Sequence, residues 1–320
     1  MPFPILRTPS VVLSEIISLL QPNEIVTASF CSKNLERLLQ NHFRQRKPLK
    51  WRLHMIDYKS CGQAHIKTSE DAKQIPVLLA KHMSELKRQL SWKCPVLYSN
   101  DQILGTKMTV EYVTDLFGLD IHELLTDRNS AWAIQWVNNR QKNSLYNFAF
   151  NKTRKCNSDA DEALDFVLRN ARASNYCSIE GSVSDNFKFD GKLGPMRKLT
   201  IPSNGHWVTG DNLSNFDAIE ITIQGSRLSV SDLNVFLRHW RAGGLTRLEW
   251  LHLNFEEHTF RERFDEDLEV VKTDERRVYH CSYGYKKVVH GGYSVQRVDG
   301  VKALIQCDLR RFVMVVWHQQ

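Results

Sequence analysis

Residues 216–255 read FDAIEITIQGSRLSVSDLNVFLRHWRAGGLTRLEWLHLNF. Phe216-x-x-Ile219-x-Ile221 and Leu248-x-x-Leu251-x-Leu253 have the alternation of half-buried strands. Between them Leu233, Phe236, Leu237 and Trp240 recur at i, i+3, i+4 and i+7, which predicts a helix over 231–241. Ser229 stands three residues ahead of Asp232, the pattern of a capping box, and Gly243-Gly244 is a natural stop. Arg238 and Arg241 fall near the helix C-terminus, where the macrodipole favours cations. The stretch therefore reads as strand, helix, strand.

The same apolar-x-x-apolar-x-apolar pattern recurs upstream as Leu145-x-x-Phe148-x-Phe150 and Met196-x-x-Leu199-x-Ile201. A weaker copy is Tyr176-x-x-Ile179, with Gly181 in the last slot; successive starts are 31, 20, 20 and 32 residues apart. A further helix is expected over 161–171, with Ala163, Leu164, Val167 and Leu168 on one side. Strand and helix alternating at this period predict a parallel sheet in an irregular array resembling a degenerate leucine-rich-repeat solenoid. A non-repetitive α/β domain is the competing expectation. In such an array the residues between the buried ones face the open side: Asn147, Ala149 and Asn151, then Lys198 and Thr200, Glu220 and Thr222, and Trp250, His252 and Asn254. Trp250 and His252 are the candidate substrate-binding residues, because a large aromatic among polar neighbours is the kind of residue that anchors interfaces. Packing of Trp250 beneath a neighbouring helix is the alternative.

The N-terminus follows other rules. Thr8 is placed to cap a helix and Pro9 to begin it. Val12, Leu13, Ile16, Ile17 and Leu20 form an apolar stripe, Gln21-Pro22-Asn23 interrupts it, and 24–30 starts a second helix with Ile25, Val26 and Phe30. Leu35, Leu38 and Leu39 mark a third. About forty residues are too few to bury these side chains among themselves. The surplus must pack on the rest of the chain or on a partner.

Phe3-Pro4-Ile5-Leu6-Arg7-Thr8-Pro9, Val12-Leu13-x-x-Ile16-Ile17-x-x-Leu20, Ile25-Val26 and Ser29-x-Cys31-Ser32-Lys33 together resemble an F-box. The family usually has Leu where this chain has Thr8. The resemblance implies docking to a Skp-type adaptor, and through it to a cullin, by Leu6, Pro9, Leu13, Ile16, Leu20, Ile25, Ser29 and Leu35. Trp207-Val208-Thr209, Asn212-Leu213, Ile219-Glu220-Ile221, Leu228 to Trp240 and Gly292-Tyr293-x-Val295-x-Arg297-x-Asp299-Gly300 are similar to the type-2 F-box-associated domain of a large nematode F-box family. That resemblance implies binding of a protein substrate. The expected class is α+β: a three-helix F-box over 1–45, then a substrate-recognition region over 46–320 that includes the associated domain at about 195–305. The implied function is substrate recognition for a cullin-based ubiquitin ligase; a protein-interaction scaffold without a ligase role is the alternative. Over 46–140 only a strand at 51–56 and short helical turns at 109–116 and 120–125 are expected, with no Gly/Ser/Pro-rich run that would mark a linker.

Other classes lack support. No GxSxG elbow, GxxxxGK[ST] loop or HExxH helix is present, so the expectation is a non-catalytic subunit with no cofactor. His280-Cys281 with His290 offers three ligands without a fourth, and no metal site is assigned. The carboxylates of 256–269 interleave with arginines and read as a solvated charged loop. Seven cysteines, an odd number without CxxC spacing, suit a reducing compartment, cytoplasmic or nuclear. No apolar run has the length of a membrane span. The net charge of +7, concentrated in Arg44 to Arg52 and in Lys152 to Lys155, comes without a nucleic-acid-binding motif.

Overall fold

The structure, a computed structural model, describes residues 9–46, 50–58, 61–86, 93–151, 160–257, 264–281 and 284–317. Two compact units divide the chain, Met1–Leu145 and Tyr146–Gln320. The expected boundary after residue 45 is thus not a boundary between compact units.

The first unit opens with three helices, α1 (Ser10–Leu19), α2 (Pro22–Ser29) and α3 (Lys33–Gln45). Pro9 occupies the N-cap position of α1, one residue later than the sequence pattern placed the cap, and Thr8 lies outside the described residues. The first helix ends before Gln21-Pro22-Asn23 as expected, and the second begins two residues earlier than the pattern placed it, at Pro22. Its missing N–H costs nothing there, and Gln21 and Glu24 close a capping box around it. The rest of the unit comprises β1 (Arg52–Tyr58), β2 (Cys61–Lys67), β3 (Ile75–His82), β4 (Val96–Ser99), α4 (Gln102–Phe117), β5 (Ile121–Thr126) and α5 (Trp132–Arg140). The strands run in the order β5-β1-β2-β3-β4. The β1–β2 and β2–β3 pairs are antiparallel, while β1–β5 and β3–β4 are parallel.

Two expectations are corrected here. Residues 109–116 belong to a long helix, capped by Asp101 and stopped by Gly118 at φ 64°. Residues 120–125 are mostly strand β5, not a helical turn: so short an apolar run has no decisive period, and the free edge of β1 recruits it. Helix α4 lies against β2 and β3. A Cβ at Gly62 would sit 2.1 Å from Thr106 Oγ1, so glycine there permits the close approach. The unit also encloses charge. Asp57 and Asp127 are both buried, and burial pushes Asp57 up to about 6 against hydrogen bonds from Ser130 and Trp132. His54 Nδ1 lies 2.8 Å from Glu123 Oε2.

The second unit contains β6 (Leu145–Phe150), α6 (Ala160–Asn170), β7 (Ala173–Ile179), β8 (Leu193–Ile201), α7 (Gly210–Ser214), β9 (Phe216–Ser226), α8 (Val230–Arg241) and β10 (Trp250–Phe255). It ends with β11 (Val271–His280), β12 (Lys286–Gln296), β13 (Lys302–Asp308) and β14 (Arg311–Trp317). Their order is β6-β7-β8-β9-β10-β14-β13-β12-β11. Strands β7 to β10 pair in parallel, and from β14 to β11 all pairs are antiparallel.

The parallel ladder aligns Cys177, Leu199, Ile221 and Leu251 in one row, all buried. These residues are 22, 22 and 30 positions apart, a more even spacing than the sequence pattern gave. Two strands had been read two residues out of register: Ile221 and Ile223, not Ile219 and Ile221, stand level with Leu251 and Leu253. Likewise Cys177, not Ile179, stands level with Leu199. Helix α8 has the expected form. Ser229 Oγ accepts from the Asp232 N–H at 3.1 Å, Asp232 answers on the Ser229 N–H, and Gly243 ends the helix region at φ 98°. Leu233, Phe236, Leu237 and Trp240 are fully buried.

Candidate functional site

Two surfaces follow from these elements, one in each unit. On α1 the apolar residues form two stripes. Leu13 and Ile17 turn inward. Val12, Ile16 and Leu19, spaced i, i+4 and i+7, turn outward: Val12 is 48% and Leu19 83% exposed, and Ile16 is half-buried. Val11 and Phe30 are exposed as well, and Phe30 stacks on Tyr112 of α4 with ring centroids 4.7 Å apart. Helix α2 packs on β3 and α3 on α4. Large exposed apolar side chains on neighbouring helices cost solubility unless a partner covers them.

The residues expected to face an adaptor divide accordingly. Pro9 is exposed, and Ile16, Leu20 and Leu35 are half-buried. Leu13, Ile25 and Ser29 are buried by the chain itself. Ile25 is wholly enclosed, and Ser29 Oγ bonds the Val26 carbonyl and the Tyr112 hydroxyl, so the chain's own packing holds both. Leu6 lies outside the described residues. The sequence reading missed Val11, Val12, Leu19 and Phe30 as outward residues. The second stripe on α1 was their signal.

The second surface is the polar side of β8, β9 and β10. Its rows pair Lys198 with Glu220 and Trp250, then Thr200 with Thr222 and His252, then Gln224 with Asn254. The first row is covered. Strands β11 and β12 curl back so that Tyr279 stacks on Trp250 at 5.2 Å, and Lys287 Nζ sits 4.1 Å from the Trp250 ring centroid. Cys281, Val289, Leu304, Val313 and Val315 complete this cluster, and Trp250 is only 4% exposed. Trp250 is therefore covered by the chain itself; it packs beneath a hairpin, not beneath a helix. Burial, then the nearby Glu220 and Glu249 carboxylates, raise the Tyr279 phenol pKa.

His252 is half-buried in the second row. Burial, then Lys287 and Arg311, lower its pKa and favour the neutral imidazole. Its Nε2 and the Thr200 hydroxyl are buried without a hydrogen-bond partner among the described residues. Asn254 Nδ2 donates to Gln224 Oε1 at 2.5 Å. The strip from Thr200 to Asn254 thus offers hydrogen-bonding groups on a rigid parallel ladder.

A cleft of about 860 Å3 opens at the start of β11, between Phe264, Val271, Tyr293 and Leu309. Several carboxylates beside it are engaged. Asp265 and Asp267 hold Arg238, and Glu269 holds Arg241, so the charged loop is pinned to the end of α8. His280 is exposed while Cys281 faces the Trp250 cluster, which splits the trio weighed as metal ligands. Among the described residues no group of three or more His, Cys, Asp or Glu could hold a metal ion, and no helix is long and apolar enough to cross a membrane.

Comparison with known families bears on both surfaces. The family model described as F-box domain matches residues 9–46, which span α1 to α3. The model described as F-box associated matches residues 193–253, from β8 into β10. No curated protein and no solved structure matches the chain. The two matched segments coincide with the two candidate surfaces: the chain carries an F-box domain over 9–46 and an F-box-associated domain over 193–253.

Proposed function

We propose that this protein is a substrate-recognition adaptor of a cullin-based ubiquitin ligase. Helices α1 to α3 dock a Skp-type adaptor, and the remainder holds a protein substrate. The chain supplies no catalysis of its own. It raises the effective concentration of a target lysine near a charged conjugating enzyme. Such a role belongs inside the cell, in cytoplasm or nucleus.

One observation carries the reading: the matched F-box helices leave Val12, Leu19 and Phe30 exposed and Ile16 half-buried. The docking set is accordingly Pro9, Val12, Ile16, Leu19, Leu20, Phe30 and Leu35. Four parallel strands in even register support reading β7 to β10 as a degenerate leucine-rich-repeat array that presents Thr200, Thr222 and His252.

The test is co-purification with a Skp-type adaptor. Val12→Asp with Leu19→Asp should abolish capture while leaving the thermal melt in place, because exposed substitutions usually change stability by no more than about 0.5 kcal/mol. Undiminished capture by a folded double variant would remove the ligase reading and leave an interaction scaffold.

A further inference from the structure

Strand β11 is the terminal strand of its sheet, and among the described residues nothing pairs with its outer edge. Natural edges are normally guarded by shortness, proline, charged side chains, bulges or inward-pointing charge. This one runs ten residues without proline, and its guards are charge, with Arg277 on the inner face, and one bulge. A register shift interrupts its pairing with β12 between Thr273 and Arg276, but from Arg276 to His280 the ladder is regular.

The inner face of the hairpin is occupied, with Tyr279 and Val289 in the Trp250 cluster and Arg277 4.0 Å over the Trp317 ring. The outer face is open. Three cross-strand rungs stand on it: Arg276 with His290, Val278 with Val288, and His280 with Lys286. All six residues are exposed. A rung with Arg276, an apolar rung and a rung with Lys286 therefore lie along a strand whose outer edge has no backbone partner among the described residues. Asp274, also exposed, lies beyond the register shift and bounds this run.

We propose that β11 accepts an extended segment of a partner protein as an added strand. Side chains on one face of a strand recur every second residue. The segment matching Arg276, Val278 and His280 therefore reads acidic-x-aliphatic-x-acidic. Backbone bonding supplies affinity and the alternate side chains supply selectivity. The valine rung favours a peptide over a nucleic acid, because it suits an aliphatic side chain and offers no stacking surface for a base. The proposal stands on the edge alone; the ligase reading adds only that the segment would belong to a substrate.

The test uses the full chain and a fluorescein-labelled, end-blocked peptide Thr-Glu-Thr-Val-Thr-Glu-Thr, read by anisotropy and amide exchange. Binding is expected with slowed exchange over 276–280. At least tenfold weakening is expected when Lys replaces both Glu residues, when alternate peptide amides are N-methylated, and in Arg276→Glu with Lys286→Glu at an unchanged melt. Absence of binding overturns the proposal. So does equal binding of the N-methylated peptide, which would show charge attraction without strand addition. A thymidine oligonucleotide that binds where the peptide does not would also overturn it. Adaptor capture is measured on the same preparation, so failure here and failure of the ligase reading are told apart.

Discussion

Trp250 shows how one residue can mislead. Its polar neighbours on β10 marked it as an anchor for a partner, yet Tyr279 and Lys287 close over it from strands far along the chain. No local pattern announces a cover that arrives from later strands. Truncating a buried aromatic costs about 3–5 kcal/mol, so Trp250→Ala should lower the urea midpoint of the second unit by a corresponding amount. Asp57 carries a different consequence. Its carboxyl titrates near 6 in the folded chain, above its ordinary value of 3.8, so the unfolded chain ionises first. Its contribution to stability is present below about pH 4, falls as pH rises toward 6, and stays lost above. Asp57→Asn should therefore be more stable than the parent at pH 7.5 by roughly 1–3 kcal/mol. That advantage should shrink toward zero below pH 4, as denaturant titrations at the two pH values would show.

Among elements, helices with a local cap signal were legible and the strand registers were not, while α5 carried no expectation and α4 only that of a short turn. Helix α8 was readable from its four apolar positions and from Ser229 and Asp232, because capping is local chemistry. Loss of that cap should cost about 1 kcal/mol, measurable in Ser229→Ala by chemical denaturation. In β9, Ile219, Ile221 and Ile223 are the same residue at alternate positions, and an alternating pattern slipped by two still fits. Only the neighbouring strands decide that Ile221 stands level with Leu199 and Leu251. On α1 the difficulty was an excess of signal. Leu13 with Ile17 and Val12 with Ile16 make two apolar stripes, and the segment by itself cannot say which one the core takes. Hence the adaptor-facing set included Ile25 and Ser29, which the core holds, and omitted Val12 and Leu19, which it leaves exposed.

At the scale of the whole molecule, the α+β character and the parallel strands of the second half were visible from periodicity. The first unit was not: β2 to β4 have no repeat, and β5 depends on an edge that only the fold creates. Two compact units set up a test of whether unfolding is a single transition. Calorimetry should resolve two, with Trp250→Ala lowering one and Asp57→Asn raising the other at neutral pH. Coincident movement of both under either substitution would show that the units unfold together.

The order of strands also bears on synthesis. β10 lies between β9 and β14, and β14 leaves the ribosome after every other described strand. Until residues 311–317 emerge, β10 and β13 each keep an unpaired flank, although everything upstream is already available to fold. A nascent or prematurely terminated chain would thus expose two adhesive seams at its centre, and a single late segment seals both.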